Sequence, residues 1–320
     1  MKENAQQTLA SVVVITRNRA ASLKRALLAL QKQEYSNYEV IVVDNDSTDS
    51  TKSVVEEFGA VYAFTPSKSG IGSCRQKGVE VSRGQVIAFC DDDCAPSPQW
   101  LVHIVRRLME DPKLGLVGGQ VTNVGFPDHK QFKGRSALTK HGKCVFVADT
   151  SKAEFFGNMN LSFRRDVIQA VGGYDPFFNV YEEIDLALRI RKQGYKIAFE
   201  PLAETKHHYT GISHKRRQFF YGPELVRLYL CMKHLKPGST KEWLTFLGFE
   251  LRLLGKELVR FSRRFFFALR KGYFDRVGPL LIELFNKISA RMAIPWLLHR
   301  AQSKENSTAP VPASHTCVSS

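Results

Sequence analysis

Over its first hundred residues the chain alternates short β-branched runs with helical periods, and each run stops at a polar turn. Ser11-Val12-Val13-Val14-Ile15 is near-continuous and apolar, the composition of a strand buried on both faces. It ends in Thr16-Arg17-Asn18-Arg19, after which Ser22 is expected to cap a helix over residues 23–33. A second strand is predicted over residues 38–43, ending in Asp44-Asn45-Asp46-Ser47-Thr48-Asp49, with a helix over 50–58 behind it. A third strand at 61–64 leads through a glycine-bearing stretch, 66–72, into a helix over 73–81. The fourth, Gln85-Val86-Ile87-Ala88-Phe89, delivers Cys90-Asp91-Asp92-Asp93-Cys94, and Ala95-Pro96-Ser97-Pro98 blocks both strand and helix before Gln99. This alternation predicts an α/β fold, a Rossmann-like α/β/α sandwich with a mainly parallel sheet. Ligands of such sheets bind beyond the carboxyl ends of the strands, so Thr16, Asp44 and the Asp91–Asp93 turn are expected along one edge.

Three adjacent carboxylates repel one another, and no base adjoins them in sequence. A hard divalent cation, Mg²⁺ or Mn²⁺, would neutralise them and keep open positions for phosphate oxygens; the plainer alternative is a solvated acidic turn. The stretch 66–72 is not a dinucleotide fingerprint: the last glycine of that motif falls on Arg75, and the stretch follows the third strand. It is either a simple glycine turn or, through Lys68 and Arg75, a diphosphate contact. Beyond the acids a helix is predicted over 100–110 and a strand over 114–121, whereas residues 122–152 read as irregular and basic. Residues 181–194 form an amphipathic helix with Glu182, Glu183 and Asp185 in its first turn and bases in its last. That arrangement suits the helix dipole, and a helix start with three carboxylates also suits a catalytic base.

The charge is uneven. Residues 1–200 hold 26 Lys/Arg against 23 Asp/Glu, and residues 201–320 hold 20 against 8, within a total of +15. The second part is therefore built to meet an anionic partner. Six cysteines without paired spacing make a zinc site or a disulfide framework poor readings, and Cys90 reads as a buried thiol. The first ten residues lack an apolar signal core, and no uncharged apolar run approaches the ~18–20 residues needed to span a bilayer. These features predict a reduced, cytoplasmic protein.

In order along the chain, several segments together resemble family 2 of the inverting nucleotide-sugar glycosyltransferases, of the GT-A fold. They are Val12-Val13-Val14-Ile15-Thr16-Arg17-Asn18-Arg19, Val40-Ile41-Val42-Val43-Asp44-Asn45-Asp46-Ser47, Asp91-Asp92-Asp93 with Pro98-Gln99-Trp100-Leu101, Gly157-Asn158 with Arg164-Arg165, Val171-Gly172-Gly173-Tyr174-Asp175, and Glu182-Glu183-Ile184-Asp185-Leu186. The resemblance covers about residues 10–225 and extends to His207-His208 and Arg216-Arg217-Gln218. It implies a nucleotide-sugar donor (UDP-, dTDP- or GDP-linked), a glycan or lipid-linked acceptor, and a nucleotide cradle of Thr16, Asp44 and Arg75. It also implies Asp91 on the ribose side, Asp93 on the metal, and Glu183 as general base. His207 or His208 would complete the metal shell, Asp91 would be an alternative ligand, and Gly157 and Asn158 would face the acceptor. The family commonly has Asp where Glu183 stands and Asp-Gly where Asn45-Asp46 stands, which leaves the base open to Glu182 or Asp185.

The domain expectation is an N-terminal tail over 1–9, a catalytic domain over 10–235, a basic helical region over 236–300, and a disordered tail over 301–320. In 241–271 and 277–300 Trp, Phe and Leu alternate with Arg and Lys, the composition of an interfacial helix on anionic lipid. The alternative is a packed helical pair with a solvated basic face. Nucleic acid is not expected as a partner, because no groove-reading module is present. Two rival functions share parts of the pattern. A sugar-1-phosphate nucleotidyltransferase needs glycines directly after the first strand, where Thr16-Arg17-Asn18-Arg19 has none. A non-catalytic membrane-surface protein would have no need of Asp91, Asp93 and Glu183.

Overall fold

A computed structural model describes residues 8–66, 69–125, 135–208 and 223–307. The chain divides into two compact units, Met1–Val226 and Arg227–Ser320. The division falls inside a helix, earlier than the expected domain boundary at 235.

In the first unit β1 (Ala10–Thr16), β2 (Tyr38–Asp44), β3 (Val61–Phe64) and β4 (Val86–Asp91) alternate with α1 (Ala20–Leu30), α2 (Thr51–Glu57) and α3 (Ile71–Val81). Their bounds lie within a few residues of the predicted ones. The start of α1 differs: Arg19 occupies the N-cap with no side-chain cap bond, and Ser22 is buried inside the helix. The four strands pair in parallel, and the register sets Thr16 beside Asp44 and Ile15 beside Asp91. The expected edge therefore forms because three buried strands end at one level. Both faces of β1 are covered, with Val12, Val13 and Val14 fully buried, as the unbroken apolar run requires.

The sheet then changes direction. After β5 (Cys94–Pro96), α4 (Trp100–Glu110), β6 (Leu114–Val124), β10 (Asn160–Arg164) and β11 (Lys196–His208), the eight described strands take the order β3-β2-β1-β4-β10-β6-β11-β5. β10 runs antiparallel to β4 and β6, and β5 antiparallel to β11. Buried Trp100 donates its indole N–H to Asn160 Oδ1 at 2.8 Å, and Asn160 Nδ2 donates to Gln120 O and Ala203 O at 2.9 and 2.8 Å. One side chain thus ties three strands to α4. The stretch read as irregular carries order as well. β7 (Arg135–Leu138), β8 (Cys144–Phe146) and β9 (Phe155–Phe156) make a small antiparallel sheet, with strands too short to show a periodicity. α5 (Arg165–Ala170) and α6 (Glu182–Lys192) complete this unit's elements up to β11.

The second unit is helical: α7 (Pro223–His234), which begins four residues before the division, then α8 (Thr240–Arg270), α9 (Val277–Met292) and α10 (Ile294–Ser307). α8 opens on a capping box, with Ser239 accepting from Glu242 N and Glu242 accepting from Ser239 N. Buried Glu250 accepts from Arg227 at 2.7 Å and pairs with Arg291 at 3.1 Å, which neutralises an otherwise costly buried carboxylate. The tail expected to be disordered from 301 is helical as far as Ser307; its small polar residues continue a helix already nucleated at Ile294. No described helix is long and apolar enough to cross a membrane.

Candidate active site

The acids at the end of β4 meet cations that the local sequence does not show. Arg19, at the start of α1, donates to Asp92 and to Asp93, both at 2.7 Å. Thr16 donates its hydroxyl to Asp92 at 2.7 Å. Burial pushes Asp92 up to about 7 against the pull of Arg19 and Thr16. Asp93 is held down at about 2: burial works upward on it, but His207 and Arg19 outweigh that effect. An internal arginine therefore already balances part of the charge that, from the sequence, only a metal would neutralise.

Strand pairing supplies the other metal-binding candidates. β5 returns along β11 with Cys94 opposite His207, which brings His207 Nε2 to 3.4 Å from Asp93 Oδ1. Donor atoms of Asp93, Cys94 and His207 all lie within 4.8 Å of one another. Cys94 entered the sequence reading only as a flank of the acids; its place beside His207 depends on a strand pairing more than a hundred residues apart. His208 joins the corner through its backbone N–H, which donates to Asp93 O at 2.9 Å.

The second corner is built on α6. Its first-turn carboxylates have three different fates. Asp185 is fully buried and accepts from Arg189 Nε and Nη2 at 2.9 and 2.7 Å, which makes it part of the helix framework. Glu182 is buried and accepts from Arg75 Nε at 3.2 Å and Asn158 Nδ2 at 3.1 Å. Glu183 is partly buried, and Asn158 Nδ2 donates to it at 3.2 Å. Burial, and after it the charge of Glu182, pushes Glu183 up to about 8. Tyr174 donates to Asn158 Oδ1 at 3.3 Å and so fixes the amide that holds both carboxylates.

Arg75 differs from the expected diphosphate contact. Its guanidinium is buried, lies over the Phe89 ring, and reaches Asp91 at 3.5 Å as well as Glu182. From α3, which packs on β1 and β2, it links the end of β4 to the start of α6. Asn158 likewise makes its described contacts with Glu182, Glu183 and Tyr174, and neighbouring Gly157 accepts from Asn160 N at 3.2 Å. Asp44 is buried and accepts from Ser47 N at 3.0 Å and Tyr62 Oη at 2.9 Å. Lys68 and residues 209–222, with Arg216-Arg217-Gln218, lie outside the described residues. Gly72 has a packing reason of its own: a Cβ there would stand 2.6 Å from Phe178 O.

Backbone strain gathers at the same edge. The non-glycine residues with positive φ among those described are Asn18 (51°), Asp46 (57°) and Tyr181 (68°). They sit beside Arg19, after Asp44, and directly before Glu182. Asn and Asp tolerate this region and tyrosine much less so. The value at Asp46 also accounts for the glycine that the resembling family commonly has there.

The sequence profile described as Glycosyl transferase family 2 matches residues 11–172. The chain belongs to that family. Among curated proteins it is 30% identical over 199 residues to glycosyltransferase AglE of Haloferax volcanii, a match that covers 59% of this chain and 63% of AglE. It is 29% identical over 177 residues to glucosyl-dolichyl phosphate glucuronosyltransferase of the same organism, covering 52% of this chain and 55% of that protein. The chain thus spans less than two thirds of either relative. Among solved structures, mannosyltransferase PcManGT of Pyrobaculum calidifontis, in complex with GDP-Man and Mn²⁺, aligns with TM-score 0.50 at 18% identity over 90% of this chain and 87% of that one. This likeness identifies the fold as GT-A.

Proposed function

We propose that this chain is a metal-dependent, inverting glycosyltransferase that moves a sugar from a nucleotide donor to a hydroxyl of a lipid-linked or cell-surface glycan precursor. The observation that carries this reading is the Arg75 bridge. It couples Asp91, at the mouth of β4, to the Glu182–Glu183 pair on α6, so that a donor corner and a raised-pKa carboxylate belong to one site. Thr16, Asp44 and Asp91 line the nucleotide side, with Lys68 as a diphosphate contact. Arg75 positions Asp91 and Glu182, and Asn158 positions Glu183.

Asp93 and His207 would offer a carboxylate oxygen and an imidazole nitrogen to a divalent ion, Mn²⁺ or Mg²⁺, beside the Cys94 thiol, which burial keeps protonated. A bound ion supplies charge neutralisation at the departing diphosphate. Glu183 accepts the acceptor hydroxyl's proton as that oxygen attacks the anomeric carbon and the bond to the diphosphate breaks on the opposite face. Its carboxylate must be ionised to do so. The relative named for a dolichyl-phosphate-linked sugar supports a lipid-linked acceptor. The basic second unit supports work at an anionic membrane surface, on its cytoplasmic side.

The test is nucleoside diphosphate release from UDP-, GDP- and dTDP-sugars with lipid-linked acceptors. Release with one donor in Mn²⁺, abolished by EDTA and by Asp93→Asn, is expected. Turnover undiminished in excess EDTA would overturn the metal role, and pyrophosphate formation from a sugar-1-phosphate would overturn the reaction.

A further inference from the structure

The second unit places on one side of a helical hairpin two apolar stripes that its own packing leaves in solvent. α8 and α9 run antiparallel along a seam of ion pairs: Arg264–Glu283 at 3.0 Å, Glu257–Lys287 at 2.7 Å and Glu250–Arg291 at 3.1 Å. Away from this seam Leu244, Leu247, Leu251, Leu258 and Phe266 follow one another along α8, and Leu251 and Phe266 are 69% and 67% exposed. On α9 Leu281, Phe285 and Met292 do the same, at 49%, 69% and 77%, while the exposed Val259 and Phe267 of α8 and Ile282 of α9 stand outside the two stripes. At roughly 100° per residue, each stripe centres about 125–140° from the seam on its helix. Because the helices are antiparallel, these two offsets fall on the same side. The Glu250–Arg291 pair of the seam is buried and Glu257–Lys287 largely so, while the apolar stripes form a solvent-exposed face two helices wide, the reverse of what burial within one chain favours.

Bases border this face. Arg252 and Arg270 lie on the outer flank of α8, about 95° round the helix from its stripe, and no described acid pairs with them. We infer that the face is a membrane-docking surface: the hairpin lies in the plane of the bilayer interface, with its stripes among the upper acyl chains and the flanking bases on anionic headgroups. A second copy of this chain fits less well. It would set two rows of unpaired bases against each other, and the stripes carry no acid to pair with them. The inference deepens the membrane context of the proposed transferase and commits to the surface that makes the contact.

The experiment is sedimentation of the full chain with vesicles of phosphatidylcholine containing phosphatidylglycerol, or of phosphatidylcholine alone, without nucleotide or metal. Binding to the anionic vesicles is expected, and Leu251→Ser/Leu258→Ser/Phe285→Ser should weaken it about tenfold or more while helical content is kept. Arg252→Gln/Arg270→Gln should lower the salt concentration at which the chain is released. Asp93→Asn should bind as wild type does, which separates failure of docking from failure of catalysis. Absence of wild-type binding at low salt, undiminished binding by the triple serine variant, or a wild-type dimer that this variant dissociates without any effect on vesicles would each overturn the inference.

Discussion

Glu182 and Glu183 are adjacent on one helical turn, yet their surroundings divide the work between them. Arg75 compensates Glu182, whereas Glu183 has the Asn158 amide as its described partner and is pushed up to about 8. As the proposed base, Glu183 in that range would operate close to neutral pH, where proton transfer is most effective. Transfer should therefore rise with pH through the neutral range and level off near 8. Stability should move the other way. A carboxyl whose folded pKa is raised contributes stability below its unfolded pKa and loses that contribution as pH climbs through the folded one. Glu183→Gln should thus melt higher than wild type at pH 9 and lose this advantage below about pH 4, near the ordinary carboxylate pKa. Thermal unfolding at the two pH values checks this, and an equal shift at both would show that the effect is not titration.

At the scale of elements, the parts of the site that were legible in the sequence are those carried by one strand and its turn. β1, β2 and β4 announce themselves by unbroken β-branched runs, and the residues ending them, Thr16, Asp44 and Asp91, meet because parallel strands of similar length end together. What was not legible depends on contacts between distant segments. The Arg19 pairs span more than seventy residues, and the Arg75–Glu182 pair more than a hundred. Neither leaves a local pattern, so Arg75 could be read as a phosphate contact from its neighbours alone. The small sheet of β7, β8 and β9 was missed for a different reason: two- to four-residue strands carry too few side chains to alternate visibly. The first turn of α3 makes a prediction at this scale. Gly72→Ala would drive a Cβ against Phe178 O, an overpacking of about 1–3 kcal/mol. Chemical denaturation should show that loss, and donor affinity should fall with it because the loop after Tyr174 must shift. Wild-type stability in this variant would show that the loop yields without strain.

Across the whole molecule, charge and chemistry are separated along the sequence. The candidate site lies within the first unit, whose sequence is nearly balanced in charge, while the helical second unit carries most of the excess positive charge. Composition alone marked the second region as basic and amphipathic, but not which side of it is apolar, because that follows from the ion-pair seam between α8 and α9. The division also means that surface attachment and catalysis should respond to different substitutions. In the proposed function Glu183 takes the acceptor's proton at a metal-supported nucleotide-sugar site. This role is tested most directly by calorimetric titration of Glu183→Gln with nucleoside diphosphate and Mn²⁺, alongside its rate of sugar transfer. Wild-type nucleotide affinity is expected, with transfer reduced by about 10²–10⁴-fold. Transfer near the wild-type rate in a folded Glu183→Gln variant, with Glu182→Gln inactive instead, would contradict it.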